Sequence, residues 1–103
     1  MTLKDAMNYV SPVWTHYTPI LATHGEGCYI YDQDGTAYLD FTCGIGVTNT
    51  GHCHPRVVEA IREQAGKLIH GQVNVVMHEP LLRLVEELRT IVPSHLDGFF
   101  FSN

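Results

Sequence analysis

The segment GIGVTNTGHCHP, residues 44–55, contains residues whose types and spacing could bind a metal or a phosphate. It holds three glycines, two histidines and one cysteine within twelve positions. Imidazole and thiolate groups are ligands for zinc, whereas glycine-rich loops let backbone N–H groups approach a phosphate. The same residues could instead only shape a substrate pocket, so the remainder of the chain decides among three kinds of site.

A metal site in this segment would use His52, Cys53 and His54. The two histidines share a face only if the segment is extended, and Cys53 then points to the other face. A structural zinc site needs four ligands, commonly as two spaced pairs. Three further residues could supply the second pair, although their spacing matches no recognised pattern: Cys43, His70 and His78. We therefore expect no metal, and a small metal-binding domain is the weaker alternative.

The glycines Gly44, Gly46 and Gly51 superficially resemble a phosphate-binding loop. A helix that begins at Pro55 would add an N-terminus that favours anions. The spacing matches neither GxGxxG nor GxxxxGK[ST], however, and no lysine follows that could reach a phosphate. We favour the interpretation that the glycines permit tight turns and close approach of the backbone.

Length, composition and charge limit the class of protein. The chain has 103 residues, enough for one small domain, and its 45% hydrophobic and 17% charged residues are typical of a globular chain. A formal charge of −5, with six basic residues, leaves no basic stripe to bind nucleic acid. No apolar run approaches the roughly 20 residues that span a bilayer. We expect neither a nucleic-acid nor a membrane partner.

The cysteines Cys28, Cys43 and Cys53 cannot all pair within one chain. The first ten residues lack the apolar stretch of a secretory signal, and the thiols of a cytoplasmic protein stay reduced. The sequence therefore predicts a cytoplasmic protein.

The first half of the chain is predicted to form a β-hairpin. Strand-forming residues at 28–31 and 37–41 flank the pair Asp34-Gly35, which is typical of a hairpin turn. Residues 17–22, which include a proline, are predicted to be an extended edge strand. The hairpin is the element that the pattern indicates most clearly.

Two amphipathic helices are predicted to follow, because apolar residues recur at helical spacing. The first begins at Pro55, after His54 ends the loop, and has its C-cap at Gly71. The second begins at Pro80 and stops at Pro93. A small antiparallel hairpin or sheet followed by two amphipathic helices makes the predicted fold class α+β.

The chain stops at GFFFSN, directly after three phenylalanines. An apolar aromatic run bounded by Gly98 predicts a buried strand that should continue, whereas natural domains usually end in polar, exposed chain. We therefore expect residues 1–103 to be the front part of a longer protein.

Residues for covalent catalysis are scarce. The two lysines are Lys4, near the N-terminus, and Lys67, on the polar side of the first long helix. Neither is expected to be desolvated, as a lysine nucleophile must be. No Ser/His/Asp arrangement or pair of carboxylates stands out. The residues alone therefore predict a pocket-shaping loop and no complete active site.

Three motifs occur in succession: GEGCYIYDQDGTAYLDF, GIGVTNTGHCHP, and an amphipathic helix ending in LIH. Together they resemble the N-terminal segment of the class III pyridoxal 5′-phosphate (PLP)-dependent aminotransferases, the family of the 4-aminobutyrate, ornithine and acetylornithine enzymes. The likeness runs from about Pro19 to Asn103. In the family, F-F-x-x-N directly precedes a glycine-containing turn that holds the cofactor phosphate, and this chain ends at that point.

The resemblance implies a fold-type I architecture, a homodimer, and a large PLP-binding domain after Asn103. It also implies ping-pong transfer of an amino group from an amino acid, of the ω-amino, ornithine or 4-aminobutyrate type, to a 2-oxo acid. The lysine that binds the cofactor lies far downstream in the family. Residues 1–103 are therefore expected to shape the substrate pocket and the dimer contact without transaminating alone.

The resemblance also assigns site residues by position. Ile45, with Gly46 beside it, falls where the family places a side chain against the substrate. Trp14 lies in the stretch that can close over the substrate, and Asn74 in the loop that reaches toward the cofactor phosphate of the partner subunit. An apolar residue at position 45 resembles the 4-aminobutyrate-type enzymes. The alternative from another class is a non-catalytic module that associates with itself through exposed apolar surface.

Overall fold

A computed structural model describes residues 2–102, which form two compact units. The first unit extends to Ile61 and the second begins at Arg62. The chain forms three right-handed α-helices and three strands in the described residues, in this order: α1 (Leu3–Ala6), β1 (Ala22–Glu26), β2 (Tyr29–Asp32), β3 (Ala37–Leu39), α2 (Pro55–Ala65) and α3 (Glu79–Ile91). A further short segment, Cys43–Gly46, forms a left-handed turn between β3 and α2. A 3₁₀ turn, Met7–Tyr9, follows α1.

The strands form one antiparallel sheet in the order β1–β2–β3. In the central strand, Ile30 pairs with Gly25 on one side and with Tyr38 on the other. The turn between β2 and β3 contains Gly35 at φ 79°, a left-handed value that glycine adopts without strain. The predicted hairpin is therefore confirmed, with β2 shifted by one residue from the predicted 28–31 and β3 two residues shorter than the predicted 37–41.

Strand β1 was not predicted, and the predicted edge strand at residues 17–22 is wrong, since the chain is irregular until Ala22. The register shifts between Ala22 and His24, so that Thr23 is bulged. The Thr23 hydroxyl lies 3.2 Å from the carbonyl oxygens of both Tyr31 and Asp32. A hydroxyl that bonds across the ladder supports the bulge, and backbone pairing overrides the low strand propensity of this segment.

Helix α2 begins at the predicted Pro55, whereas α3 begins at Glu79, one residue before the predicted Pro80. The carbonyl oxygen of His54 accepts hydrogen bonds from the N–H groups of Val57 and Val58 at the start of α2. The prediction that this helix continues to Gly71 is wrong, because α2 ends at Ala65 and the next residues form a turn. Within residues 2–102, no helix is long and apolar enough to cross a membrane.

The aromatic run near the end of the chain is not a strand. Residues 98–102 are irregular, and the Phe100 side chain is exposed. A strand needs a neighbour whose N–H and C=O groups complete its ladder, and the described residues offer none here. The predicted buried strand is therefore wrong for this chain.

No side chain among the described residues is fully buried. Large apolar side chains are instead exposed in both units, among them Trp14, Phe41, Ile45, Ile69, Ile91 and Phe100. Soluble proteins rarely leave so many apolar side chains in water unless another surface covers them. The sheet and helices are thus elements without an enclosed core of their own.

Candidate functional site

The turn Cys43–Gly46 has a left-handed backbone. Four consecutive residues have positive φ: Cys43 at 53°, Gly44 at 59°, Ile45 at 57° and Gly46 at 83°. Glycine accepts these values, but a β-branched residue such as isoleucine is an outlier there. The left-handed conformation costs about 1–2 kcal/mol at a residue with a Cβ. Strain of this kind often marks a functional site.

The strained turn presents the Ile45 side chain to solvent, where it is 96% exposed. The backbone beneath it is well bonded, because Ile45 N donates to Thr42 O at 2.8 Å and Val47 N donates to Cys43 O at 2.9 Å. Asn49 Nδ2 donates to Gly46 O at 2.6 Å. The turn therefore projects an apolar side chain from a fixed backbone.

The carboxylate of Asp40, the residue after β3, lies at the base of this turn. Asp40 Oδ1 accepts hydrogen bonds from Thr42 N at 2.8 Å, from Thr42 Oγ1 at 2.7 Å and from Cys43 N at 3.2 Å. Asp40 Oδ2 lies 2.7 Å from His52 Nε2. Since an ionised carboxylate only accepts, the imidazole donates. The Thr42 hydroxyl, and then His52, hold the pKa of Asp40 well below its ordinary value near 3.8.

His52 is fixed by the sheet as well as by Asp40. Its N–H donates to Gly27 O at 2.8 Å, and its carbonyl oxygen accepts from Gly27 N at 3.2 Å. The ring lies against Gly25, where an added Cβ would come within 2.8 Å of His52 Cγ. Only a glycine at position 25 leaves room for the imidazole. The loop from Thr42 to Gly51 is therefore anchored at both ends to one sheet.

The structure places the four predicted site residues in three separate segments. Ile45 and Gly46 share the strained turn. Trp14 is 71% exposed in a turn closed by Trp14 N donating to Ser11 O at 3.1 Å. No hydrogen bond of the described residues connects that turn with Ile45.

The fourth predicted residue, Asn74, belongs to the second unit. It is exposed in a turn in which Val75 N and Val76 N both donate to Gln72 O at 2.9 Å. The chain around Asn74, between the two long helices, is therefore a loop, as the resemblance implies.

In the part of the chain that the structure describes, the histidines and cysteine of the opening segment do not come together as one set of ligands. His52 Nε2 bonds to Asp40, and Cys53 is exposed with φ 54°. Within residues 2–102, no three His, Cys, Asp or Glu side chains lie close enough together to hold a metal ion. The alternative that uses His52, Cys53 and His54 gains no support from this geometry.

Neither lysine has the surroundings that a covalent PLP site requires. Lys67 Nζ bonds to Glu63 Oε1 at 2.6 Å, and the two side chains are 64% and 66% exposed. Lys4 is exposed in the four-residue α1. A lysine that forms an imine must be desolvated to lose its proton. Neither Lys67 nor Lys4 therefore has the desolvated surroundings of an imine-forming lysine.

Sequence reasoning missed Asp40 and His52 as partners. The two residues stand in separate motifs, and twelve positions separate them. The available signal was the aspartate directly after the last strand of the hairpin, since such a residue often bonds the N–H groups that follow it.

Comparison with known proteins begins with the family described as Aminotransferase class-III, whose sequence model matches residues 10–103. This chain is 48% identical over 85 residues to the acetylornithine aminotransferase of Methanocaldococcus jannaschii, which is 82% of this chain and 21% of that protein. It is 47% identical over 75 residues to the 4-aminobutyrate aminotransferase of Escherichia coli, 73% of this chain and 18% of that protein. The chain thus spans about a fifth of the length of these relatives.

Solved structures show the same backbone. Adenosylmethionine-8-amino-7-oxononanoate aminotransferase from M. jannaschii matches with a TM-score of 0.74 at 28% identity, over 92% of this chain and 23% of that one. Acetylornithine aminotransferase from Elizabethkingia anophelis matches with a TM-score of 0.73 at 28% identity, over 84% and 22%. Agreement in sequence and in backbone shows that the chain belongs to the class III aminotransferases, a family of PLP-dependent transferases.

Proposed function

We propose that residues 1–103 are the N-terminal segment of a fold-type I, PLP-dependent aminotransferase and form one wall of its substrate pocket. The observation that carries this proposal is Ile45, an exposed β-branched residue held in a left-handed turn. Strain at an exposed apolar residue does not help the chain to fold, and this supports a functional role for the side chain. The wall positions the substrate and excludes water, while the cofactor supplies the carbanion chemistry.

The amino donor that we propose is an amino acid of the ω-amino, ornithine or 4-aminobutyrate type, and the acceptor is a 2-oxo acid. Relatives named as acetylornithine, 4-aminobutyrate and 5-aminovalerate aminotransferases support this class of donor. An apolar side chain at position 45 suits the methylene chain of such a donor, because it offers dispersion contacts without an unpaired polar group. Gly46 leaves the backbone beside it open to the substrate.

Two further residues complete the proposed site in the full-length enzyme. Trp14 is exposed and available to close over the substrate. Asn74, also exposed, reaches toward the cofactor phosphate bound by a second subunit. The exposed apolar residues of both units support the proposal that further chain and a homodimer partner cover them.

Location and activity of the isolated segment follow from its side chains. The thiols of Cys28, Cys43 and Cys53 are all free, which supports a reducing, cytoplasmic compartment. Since Lys4 and Lys67 are both exposed, the segment alone should form only the weak, reversible imine that PLP makes with any accessible amine. Titration with PLP, followed by imine absorbance and compared with free lysine, checks this, and tight one-to-one binding by the segment would contradict it.

The experiment that tests the function replaces Ile45→Tyr in the full-length enzyme. The phenol fills the space that the methylene chain of the donor would occupy. We expect the ratio of kcat/KM for 4-aminobutyrate to that for N-acetylornithine to change by about tenfold or more, the size of one altered pocket contact. Thermal stability should change little, since the side chain is exposed. Steady-state kinetics with both donors give the ratio.

A matched control is Ile91→Tyr, at the last residue of α3, where the isoleucine is also exposed. It makes the same chemical change at a residue of the second unit that has no proposed role in the site, and the donor ratio should stay at the wild-type value. If Ile45→Tyr behaves like Ile91→Tyr, then Ile45 does not line the pocket.

A self-associating, non-catalytic module is the second candidate, and the exposed apolar side chains favour it. Light scattering during size exclusion of the isolated segment distinguishes the two. Stable oligomers at micromolar concentration, together with a full-length protein that transfers no amino group, would favour the module. A dilute monomer would count against it.

A further inference from the structure

An isoleucine does not by itself favour the left-handed backbone conformation that Ile45 adopts. Its β-branched side chain disfavours that region of backbone space. Because the side chain is 96% exposed, packing does not compensate. The compensation has to come from the bonds that fix the two ends of the loop.

Those bonds converge on one carboxylate. Asp40 bonds to Thr42 and Cys43 at the start of the loop and to His52 at its end. The side chains of Asp40 and His52 are 6% and 19% exposed, so water competes little for the bond between them. Shifting either end would therefore break a hydrogen bond that water cannot easily replace.

We propose that Asp40 and His52 are positioning residues of the substrate pocket, whose mutual hydrogen bond holds the loop 42–51 in the conformation that presents Ile45. This inference rests on the pocket role of Ile45 proposed above. Neither side chain touches the substrate. Both act through Ile45, by excluding the alternative conformations that the loop would otherwise adopt.

A merely structural role would make different predictions from a positioning role. If the pair only stabilised the sheet, its loss would lower stability and leave the choice of donor unchanged. If the pair positions Ile45, its loss should change the choice of donor in the way that removing the Ile45 side chain does. The donor ratio, kcat/KM for 4-aminobutyrate over that for N-acetylornithine, therefore separates the two roles.

The test compares variants of the full-length enzyme. His52→Leu removes the donor atom and keeps an apolar side chain against Gly25. We expect the donor ratio to move toward that of Ile45→Gly by about tenfold, mainly through KM, since a misplaced wall loses ground-state binding. His52→Gln keeps an N–H donor at a similar reach and should restore most of the wild-type ratio.

A double-mutant cycle identifies the residue through which the pair acts. In an Ile45→Gly background there is no side chain left to position, so His52→Leu should leave the donor ratio unchanged. An equal effect of His52→Leu in both backgrounds would overturn the proposal, because the pair would then act on the substrate by another route.

The matched control is Asp32→Ala. Asp32 also accepts bonds from backbone N–H groups of a turn, at Asp34 and Thr36, and from a ring side chain, Tyr38, but it lies in the hairpin turn. We expect its removal to leave the donor ratio within about twofold of wild type. A shift as large as that of His52→Leu would mean that any loss of sheet order changes donor choice, and would overturn the positioning role.

Hydrogen exchange tests the inference without relying on activity. Asp40→Ala and His52→Leu should speed amide exchange in residues 42–51 by about tenfold, as expected for a loop that opens locally, while residues 33–36 stay unchanged. Unchanged exchange in the loop overturns the inference even if Ile45 lines the pocket. Faster exchange in the loop, with a donor ratio that responds to no Ile45 substitution, instead overturns the proposed pocket role of Ile45 and leaves the hold on the loop standing.

Discussion

Asp32 and Asp40 organise two turns of the same sheet with similar chemistry. Asp32 ends β2, and its Oδ1 accepts from the N–H groups of Asp34 and Thr36 at 3.0 and 2.8 Å. Its Oδ2 accepts from the Tyr38 hydroxyl at 2.9 Å. Asp40 likewise uses one oxygen for backbone N–H groups and the other for a ring side chain. The two carboxylates differ in how far along the chain they reach.

The hairpin turn is local, whereas the loop after Asp40 depends on a distant partner. The farthest partner of the Asp32 carboxylate is six residues away, and the left-handed position of that turn is Gly35, where no strain arises. Asp40 reaches twelve residues to His52, and its loop forces Ile45 into a left-handed conformation. This difference indicates that a turn can hold an exposed residue in a strained backbone conformation. It can do so when a hydrogen bond between residues distant in sequence closes the loop.

Gly25→Ala should have the largest effect on the difference between the hairpin turn and the loop after Asp40. The new Cβ would lie 2.8 Å from His52 Cγ and push the imidazole away from Asp40. Such overpacking costs about 1–3 kcal/mol, which we expect as a fall in the free energy of local opening of residues 42–51. Hydrogen exchange of the full-length enzyme measures it.

Gly27→Ala is the control for that substitution. Gly27 has φ 56° with open space around its Cβ position, so the change adds backbone strain of about 1 kcal/mol and no clash. If both alanines loosen the loop equally, the contact between His52 and Gly25 is not what holds the ring.

A smaller effect, of opposite sign in the two turns, should follow from exchanging glycine and side chain. Gly35→Ala places a Cβ at φ 79° and should destabilise the hairpin turn by about 1 kcal/mol. Ile45→Gly relieves about 1–2 kcal/mol of strain but gives back about 0.4–1 kcal/mol as unfolded-chain entropy. We therefore expect Ile45→Gly to stabilise its loop slightly while it degrades donor discrimination.

Local exchange rates and the donor ratio, measured on the same two variants, check this pair of expectations. If Ile45→Gly instead destabilises the loop, the isoleucine side chain contributes packing in the full-length enzyme. The expected relief of backbone strain would then be wrong.

The smallest expected effect is the loss of stability of the two turns at acidic pH. The Thr36 N–H is the largest cause that lowers the pKa of Asp32, and the Thr42 hydroxyl, followed by His52, lowers the pKa of Asp40 more strongly. A carboxyl with a lowered pKa in the folded state stabilises that state above its unfolded pKa near 3.8 and loses this contribution as pH falls through the folded value. Both turns should therefore weaken below about pH 4.

The two turns should differ in how much of this acid dependence each contributes. Asp40→Asn should flatten the fall of the urea midpoint between about pH 5 and 2 more than Asp32→Asn does. Equal flattening would mean that the Thr42 hydroxyl and His52 together lower the pKa of Asp40 no more than the partners of Asp32 lower its pKa.

Elements set by neighbouring residues could be predicted from the sequence. Asp34-Gly35 specified the hairpin because the required positive φ is supplied at one position by glycine. Pro55 and Pro80 marked the starts of the long helices because proline fits the first turn.

Elements set by distant residues could not be predicted. The bond between Asp40 and His52 depends on where the strands place their ends, and no local pattern encodes that. Apolar residues recur at helical spacing almost to Gly71 and predict a helix up to that residue, although α2 ends at Ala65. For the site, the family resemblance predicts Ile45, and the glycines of residues 44–51 predict turns. The left-handed backbone at Ile45, a residue other than glycine, follows only from the loop 42–51 that Asp40 and His52 close.

The backbone pairing of Gly27 with His52 also fixes the order in which this region can assemble. A hairpin forms within about 1–10 μs because its contacts are close in sequence. The loop has its docking partner only after β1 and β2 have paired and placed Gly27 at their turn. We therefore expect the loop that carries Ile45 to form after the hairpin, so that substitutions in it speed unfolding more than they slow folding.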